Sequence, residues 1–438
     1  MNLKKIGVIG LGKLGTPLSL FLASKGFSVY GYDSNKEIRN KLKKKINPFE
    51  EKEINNYIKK YSKKFYISES IEENISETEI SFIILPTPSG NDGVFKNDYI
   101  ISVLKKIIKA IPKNRKFHLI NITSTVMPET CNKIFSKIIK KSKTKIGLSY
   151  NPHFIALGSV IENMENPDLL LIGSDEKRTT NVINKIYKKV YLKKNMGFIS
   201  NLNLYEAEIS KIAVNSYVTM KISFSNFISN IVQSSNSISD AGKILGAIAK
   251  DTRIGKKYLS VGTKFSGPCF PRDNIALTKY CQKINSSYFL PKATDLENNL
   301  QINRYLKLFN KIIKYNKLKK PKIGILGITY KPNTSVTEES PGIDLINRLK
   351  NKYNVSYYDP YISQINLKVK KEITLKNLVI KNDIIFLCYE DKNFKIKKNL
   401  IKSKYKKKFL IDFWNLHKQN SLKNIQIVNV ARKTKGNF

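Results

Sequence analysis

The alternation of apolar and polar positions opens with Ile6, Val8 and Ile9, a short run that reads as a β-strand. Leu14, Leu18, Phe21 and Leu22 then recur at helical spacing as far as Gly26, a C-cap residue, and 28–33 reads as a second strand. Between them lies Gly10-Leu11-Gly12-Lys13-Leu14-Gly15, so the opening is a β-α-β unit. Strand-like runs at 80–85, 117–122 and 169–172 alternate with Lys-rich amphipathic stretches and predict a parallel sheet with helical crossovers. From Asn203, with Glu206 completing a capping box, a proline-free periodic segment to about Ser239 predicts one long helix. A second β-α-β start at 321–327 precedes strand candidates at 355–358, 384–388 and 409–413, without a second G-x-G-x-x-G. The pattern predicts the α/β class: two Rossmann-like doubly wound domains, residues 1–199 and 306–438, joined by a long central helix within a helical, dimer-forming region, 200–305.

A chain of 438 residues has room for two or three domains and a buried active site. No apolar run is long enough for a membrane span, and the glycines after Leu11 favour a first strand over a signal peptide. Cys131, Cys269, Cys281 and Cys388 are too few and too scattered for a disulfide framework, which fits a cytoplasmic protein. The formal charge of +44 raises the question of nucleic acid, yet no recognition module accompanies it. The lysines are spread along the chain, and runs such as Lys43-Lys44-Lys45 and Lys406-Lys407-Lys408 read as solvated faces. The field should still attract an anionic ligand such as a nucleotide diphosphate.

The glycine motif sits in the right context for a dinucleotide. Gly10 permits the tight turn, Gly12 lets backbone approach a pyrophosphate, and Gly15 allows close helix-strand packing. Asp33 ends the next strand, where a carboxylate accepts from ribose hydroxyls and repels a 2′-phosphate, so NAD is favoured over NADP despite nearby Lys36. Cys269 lies in a Gly/Pro-punctuated loop followed four residues later by Asp273, a poor core environment and a suitable one for a nucleophile. Cys131, Cys281 and Cys388 lie in apolar stretches and read as small buried hydrophobes. Lys211 and Asn215, four apart, share one helix face and can point at the same oxygen.

Four segments, Ser124-Thr125-Val126-Met127-Pro128, Glu208 to Asn215, Phe265-Ser266-Gly267-Pro268-Cys269-Phe270-Pro271-Arg272-Asp273 and Tyr330 to Thr334, together resemble the UDP-glucose/GDP-mannose dehydrogenase family across nearly the whole chain. The resemblance implies oxidation of a nucleotide-sugar C6 alcohol to a carboxylate by two hydride transfers to NAD, through a thiohemiacetal and a thioester on Cys269. Lys211 and Asn215 would stabilise the oxyanion, and Asp273 with Thr125 would handle the hydrolytic water. Lys13, Leu14, Pro86, Thr87, Ser124 and Thr125 join the glycines and Asp33 as implied cofactor contacts. Implied substrate contacts are Asn151, His153, Phe154, Lys211, Asn215, Tyr258, Phe265, Gly267, Lys331 and Arg253, the last reaching a neighbouring subunit's site in a homodimer. No metal, nucleic acid or membrane partner is implied.

Three departures from the family pattern bear on the site. Asn151-Pro152-His153-Phe154-Ile155-Ala156-Leu157-Gly158 lacks both acids of the family's Asn-Pro-Glu-Phe-Leu-x-Glu-Gly, which leaves His153 either a base near neutral pH or a structural histidine. Lys264 stands for a glycine before the cysteine, to meet a phosphate or to face solvent, and Glu338 stands where many members have arginine. UDP-glucose to UDP-glucuronate is the leading reaction. GDP-mannose or a UDP-N-acetylhexosamine as substrate, a two-electron hydroxyacid dehydrogenase and a non-catalytic nucleotide-sugar sensor are the alternatives.

Overall fold

Ile6, Val8 and Ile9 are buried in β1 (Lys5–Ile9), a central strand of an eight-stranded sheet in the computed structural model. The structure describes residues 3–49, 51, 53–191, 197–363, 365–398, 400, 407–418 and 421–433. The chain divides into two units, Met1–Ala213 and Val214–Phe438. The first holds β2 (Ser28–Tyr32), β3 (Phe65–Ile67), β4 (Ile80–Ile83), β5 (Phe117–Ile122), β6 (Lys145–Tyr150), β7 (Leu169–Ser174) and β8 (Phe198–Asn203). Their order, β3-β2-β1-β4-β5-β6-β7-β8, places the glycine turn after β1 at the switch where strand order reverses, where doubly wound sheets bind ligands. One pair departs from the parallel expectation: β6 and β7 are antiparallel, meeting at Ser149 with Ser174 and Tyr150 with Gly173. Periodicity reports which residues are buried and carries no strand direction.

The second unit repeats the winding. After the two-residue β9 (Ser239–Asp240) come β10 (Ile323–Leu326), β11 (Val355–Tyr358), β12 (Lys370–Lys371), β13 (Ile384–Leu387), β14 (Lys408–Asp412) and β15 (Ile425–Asn429), ordered β12-β11-β10-β13-β14-β15 and parallel throughout. A last short strand, β16 (Arg432–Lys433), pairs antiparallel with β9. As the sequence indicates there is no second G-x-G-x-x-G, but two of its steric positions recur farther apart. Gly327 follows β10 at φ +93°, and a Cβ on Gly342 would lie 2.2 Å from the Gly327 carbonyl oxygen. In the first unit Gly10 is at φ +97° and a Cβ on Gly15 would lie 1.8 Å from the Gly10 oxygen. The segment 328–341 is inserted between two positions that do the same steric work, so no short sequence window contains both. Asp359 plays the part of Asp33 in the interior: it is fully buried and accepts from the Ile328 and Thr329 amides and the Thr329 and Tyr389 hydroxyls. With those donors satisfied, Asp359 is a structural acid.

The helix Leu204–Ser234 leads from the first unit into the second. Its capping box is reciprocal, with the Asn203 amide donating to Glu206 Oε2 and the Glu206 amide to Asn203 Oδ1, each at 2.9 Å. Two expectations about charged and sulfur side chains are corrected. Lys408, read as solvated, lies in β14 with 5% of its surface exposed, its Nζ donating to the Ile380 and Asn382 carbonyls. Burial lowers its pKa. Lys406 lies outside the described residues. Cys131 and Cys388 are buried as expected, but Cys281 is only half-buried.

Candidate active site

In the first unit the glycine turn is shaped for an approaching ligand. A Cβ on Gly12 would meet nothing within 4 Å, whereas Gly10 and Gly15 are packed against backbone. That combination leaves the amide edge of the turn open while holding the helix Gly15–Ser24 close to β1. Asp33 Oδ2 accepts from the Leu11 amide at 2.7 Å and Oδ1 from the Asn35 amide, so its carboxylate is oriented at the end of β2. Lys13 is exposed and Leu14 half-buried beside it. Thr87 and Ser124 spend their hydroxyls on the protein. Thr87 Oγ1 donates to the Thr125 carbonyl at 2.7 Å, while Ser124 Oγ exchanges bonds with the Leu85 carbonyl and amide. They align the 85–87 and 124–125 loops, with Pro86 exposed between.

The same unit holds one face of the long helix. Lys211, 7% exposed, donates from Nζ to the His153 carbonyl at 3.1 Å and lies 4.4 Å from the Phe154 ring centroid. His153 is half-buried, yet its Nε2 is shielded and lacks a hydrogen-bond partner. Burial, then the Lys211 charge, lowers its pKa to about 4, so it is neutral at pH 7 and too weak a base for the neutral-pH role. Leu157 packs against the apolar core, which explains why an acid is absent there. Asn151 is buried, donating to the Leu171 carbonyl and accepting from the Tyr187 hydroxyl. Glu51, which the sequence reading passed over, receives the Gly158 and Val160 amides and closes this loop.

In the second unit Cys269 is exposed at the N-cap of the helix Phe270–Lys283. The first-turn amides there favour a negative charge. Asp273, one turn on, is 1% exposed and accepts from Asn215 Nδ2 at 2.7 Å, with Arg272 at 3.4 Å. The next residues repeat the link: Ser216 donates to Asn274 Oδ1, and Asn274 Nδ2 donates to Asp295. Burial raises the Asp295 pKa to about 6. Lys211 and Asn215 thus share a helix face, as their spacing requires, but their polar ends engage different partners, His153 and Asp273.

The loop before the cysteine is held by two asparagines that sequence reasoning missed. Asn226 bonds the Gly262 amide and the Thr263 carbonyl, and Asn298 bonds the Phe265 amide and carbonyl. Phe265 is buried, and Gly267, at φ +85°, lies where a Cβ would come within 2.5 Å of the Tyr330 ring. Lys331 lies 5.6 Å from that ring centroid. Lys264 does not face solvent; it is buried, 3.4 Å from Asp344 and 3.5 Å from Glu339. Glu338 is exposed and takes the Gly267 amide on its carbonyl. Tyr258 is exposed, edge-on to Phe270. Arg253 is exposed and bonds Asp251 through both Nε and Nη2.

Three family models cover most of this framework. Residues 4–191 match the NAD binding domain of the UDP-glucose/GDP-mannose dehydrogenase family, 205–300 its central domain and 324–419 its UDP binding domain. The chain belongs to that family. The Bacillus subtilis protein YtcA is 31% identical over 396 residues, 89% of this chain and 90% of that one. UDP-glucose 6-dehydrogenase of Rickettsia conorii is 28% identical over 435 residues, 96% and 97% of the two chains. The fold is shared with a UDP-glucose dehydrogenase of the archaeon Pyrobaculum islandicum (TM-score 0.87, 24% identity, 98% of each chain). It is shared too with the UDP-N-acetyl-mannosamine dehydrogenase Cap5O of Staphylococcus aureus (TM-score 0.80, 22% identity, 98% of each chain). The cofactor of the first unit is NAD, and the open Gly12 edge with the oriented Asp33 carboxylate fits it.

Proposed function

We propose that this chain oxidises the C6 alcohol of a nucleotide sugar to the carboxylate, with UDP-glucose as the leading substrate. The observation that carries the reading is the exposed Cys269 at a helix N-cap, one turn from a buried Asp273 bonded to Asn215. NAD⁺, when bound, supplies the hydride acceptor, and a four-electron oxidation uses two. Sulfur of Cys269 adds to the C6 aldehyde, forming a C–S bond and an alkoxide. Lys211 would offer that alkoxide a cation and Asn215 its second amide hydrogen, the donor types that stabilise developing negative charge. Removal of the second hydride leaves a thioester. Water then breaks the C–S bond, releasing the carboxylate and returning the thiol, with Asp273 and Thr125 positioning that water. His153 enters as a neutral contact rather than a base.

The test is to mix pure protein and NAD⁺ with UDP-glucose, GDP-mannose and UDP-N-acetylhexosamines in turn. The reading expects two NADH for each UDP-glucose consumed. One NADH per turnover on a hydroxyacid would point to the two-electron alternative, and binding without absorbance at 340 nm to a sensor.

The protein is further read as a cytoplasmic homodimer. Tyr217, Phe224 and Ile231 are exposed at seven-residue intervals along the long helix, with Phe227 between the last two. Such a stripe matches a coiled-coil seam and is costly to leave in water. Equilibrium sedimentation should return twice the chain mass at micromolar concentration, and a monomer there overturns the assignment.

A further inference from the structure

Glu208 is a buried carboxylate that the reaction as proposed does not use. It lies three residues before Lys211 and seven before Asn215, on the same stripe of the long helix. None of its surface is exposed, and both its oxygens are engaged. Oε2 accepts the Glu129 amide and Oε1 the Cys131 amide, each at 2.7 Å, from positions 79 and 77 residues earlier in the chain. Those donors belong to a strained turn. Glu129 is in the left-handed region at φ +74°, and the helix that follows begins with a π-turn, Cys131–Phe135. No side chain of the turn itself caps that start.

We propose that Glu208 is a positioning residue: its carboxylate clamps the turn that follows Thr125 and so sets Thr125 relative to the helix bearing Lys211. The inference rests on the roles proposed for Thr125 and Lys211. The opposite end of the segment is already fixed by Thr87 on the Thr125 carbonyl and Ser124 on Leu85. Segment 124–131 is therefore held at both ends, its far end by Glu208 of the long helix. Ordinary packing does not require a charge here, because the surrounding cluster of Val126, Cys131, Tyr150, Leu204 and Ala207 is apolar. A buried ion is retained when the groups it binds have no other partner.

The clamp titrates near neutrality, since burial raises the Glu208 pKa to about 7 against the pull of the two amides. The groups facing it are the Cys131 thiol and the Glu129 carboxylate, with Lys133 paired to the latter; Lys211, one turn on, is directed to the His153 carbonyl. Because the folded pKa is raised, this group's contribution to global stability is present below about 4.5 and lost as pH rises through about 7. Ionisation strengthens the two amide bonds but does not offset the burial of the charge, so the clamp opens more easily over that same rise.

Hydrogen exchange of the Glu129 and Cys131 amides reads the clamp without any catalytic assay. In the wild type, protection corrected for intrinsic exchange should fall about tenfold from pH 6 to pH 8, because an opening that exposes Glu208 returns its pKa toward 4.5 and becomes easier as pH rises. In Glu208→Gln, which keeps one acceptor and turns an NH₂ toward the other amide, protection should be lower by a similar factor and independent of pH. If the enzyme turns over, kcat should fall about tenfold with KM for the nucleotide sugar unchanged, and Glu208→Asp should recover part of it. Flat protection in the wild type, or unchanged protection and kcat in Glu208→Gln, overturns the proposal. A protein with the exchange signature but no dehydrogenase activity would overturn the functional reading and leave the clamp standing.

Discussion

Cys269→Ser is expected to lower carboxylate formation from the nucleotide sugar by about three orders of magnitude or more, the scale seen when a covalent nucleophile is removed. The side chain is exposed, so the substitution should leave the melting temperature and NAD affinity unchanged. In the proposed route only the second half of the reaction needs sulfur, because removing the first hydride would produce an aldehyde without a covalent bond to the protein. A hydroxyl is a far weaker nucleophile than a thiolate at this position. Residual NADH should therefore stop at one per sugar, with the aldehyde trapped by a carbonyl reagent. Wild-type rates of acid formation in this variant would overturn the covalent route and favour a two-electron dehydrogenase.

Lys211→Ala should lower kcat by about 10²–10³-fold, the cost of one preorganised oxyanion donor. The ammonium is held in a nearly dry position by the His153 carbonyl and the Phe154 ring, where a charge acts more strongly than in water. Lys211→Arg should rescue little, because a planar guanidinium does not fit a site shaped around a compact cation. A second readout is independent of turnover. The Lys211 charge is the smaller of the two causes that depress His153, so its removal should move the imidazole titration up from about 4, while burial still keeps it below 6.5. A loss of kcat under tenfold, with His153 unmoved, would place Lys211 outside the reaction.

The features that could be read from the chain are those set by neighbours within a few positions. Gly10, Gly12 and Gly15 span one turn, Asn203 caps through a residue three ahead, and strands such as Phe117–Ile122 and Val355–Tyr358 announce themselves by short runs rich in apolar and aromatic residues. The exposure of Cys269 followed from the glycine and proline beside it. Steric and hydrogen-bonding rules of short range suffice for each.

Other features depend on partners far along the chain. Lys408 carries the composition of a surface run, yet its ammonium is satisfied by the carbonyls of Ile380 and Asn382 at the end of the helix Leu375–Lys381. Asn226 and Asn298 look like solvated helix positions until the 262–265 backbone is folded beneath them. Glu208 and Glu51 reach amides 77 to 109 residues away. His153 was legible as a departure from the family pattern, but its neutrality follows from burial and from Lys211, which meet only in the fold. Local sterics and capping chose the elements and the type of cofactor turn. Desolvation and long-range hydrogen bonding, which no window of sequence contains, decided which polar groups are ionised, which are occupied and which face a ligand.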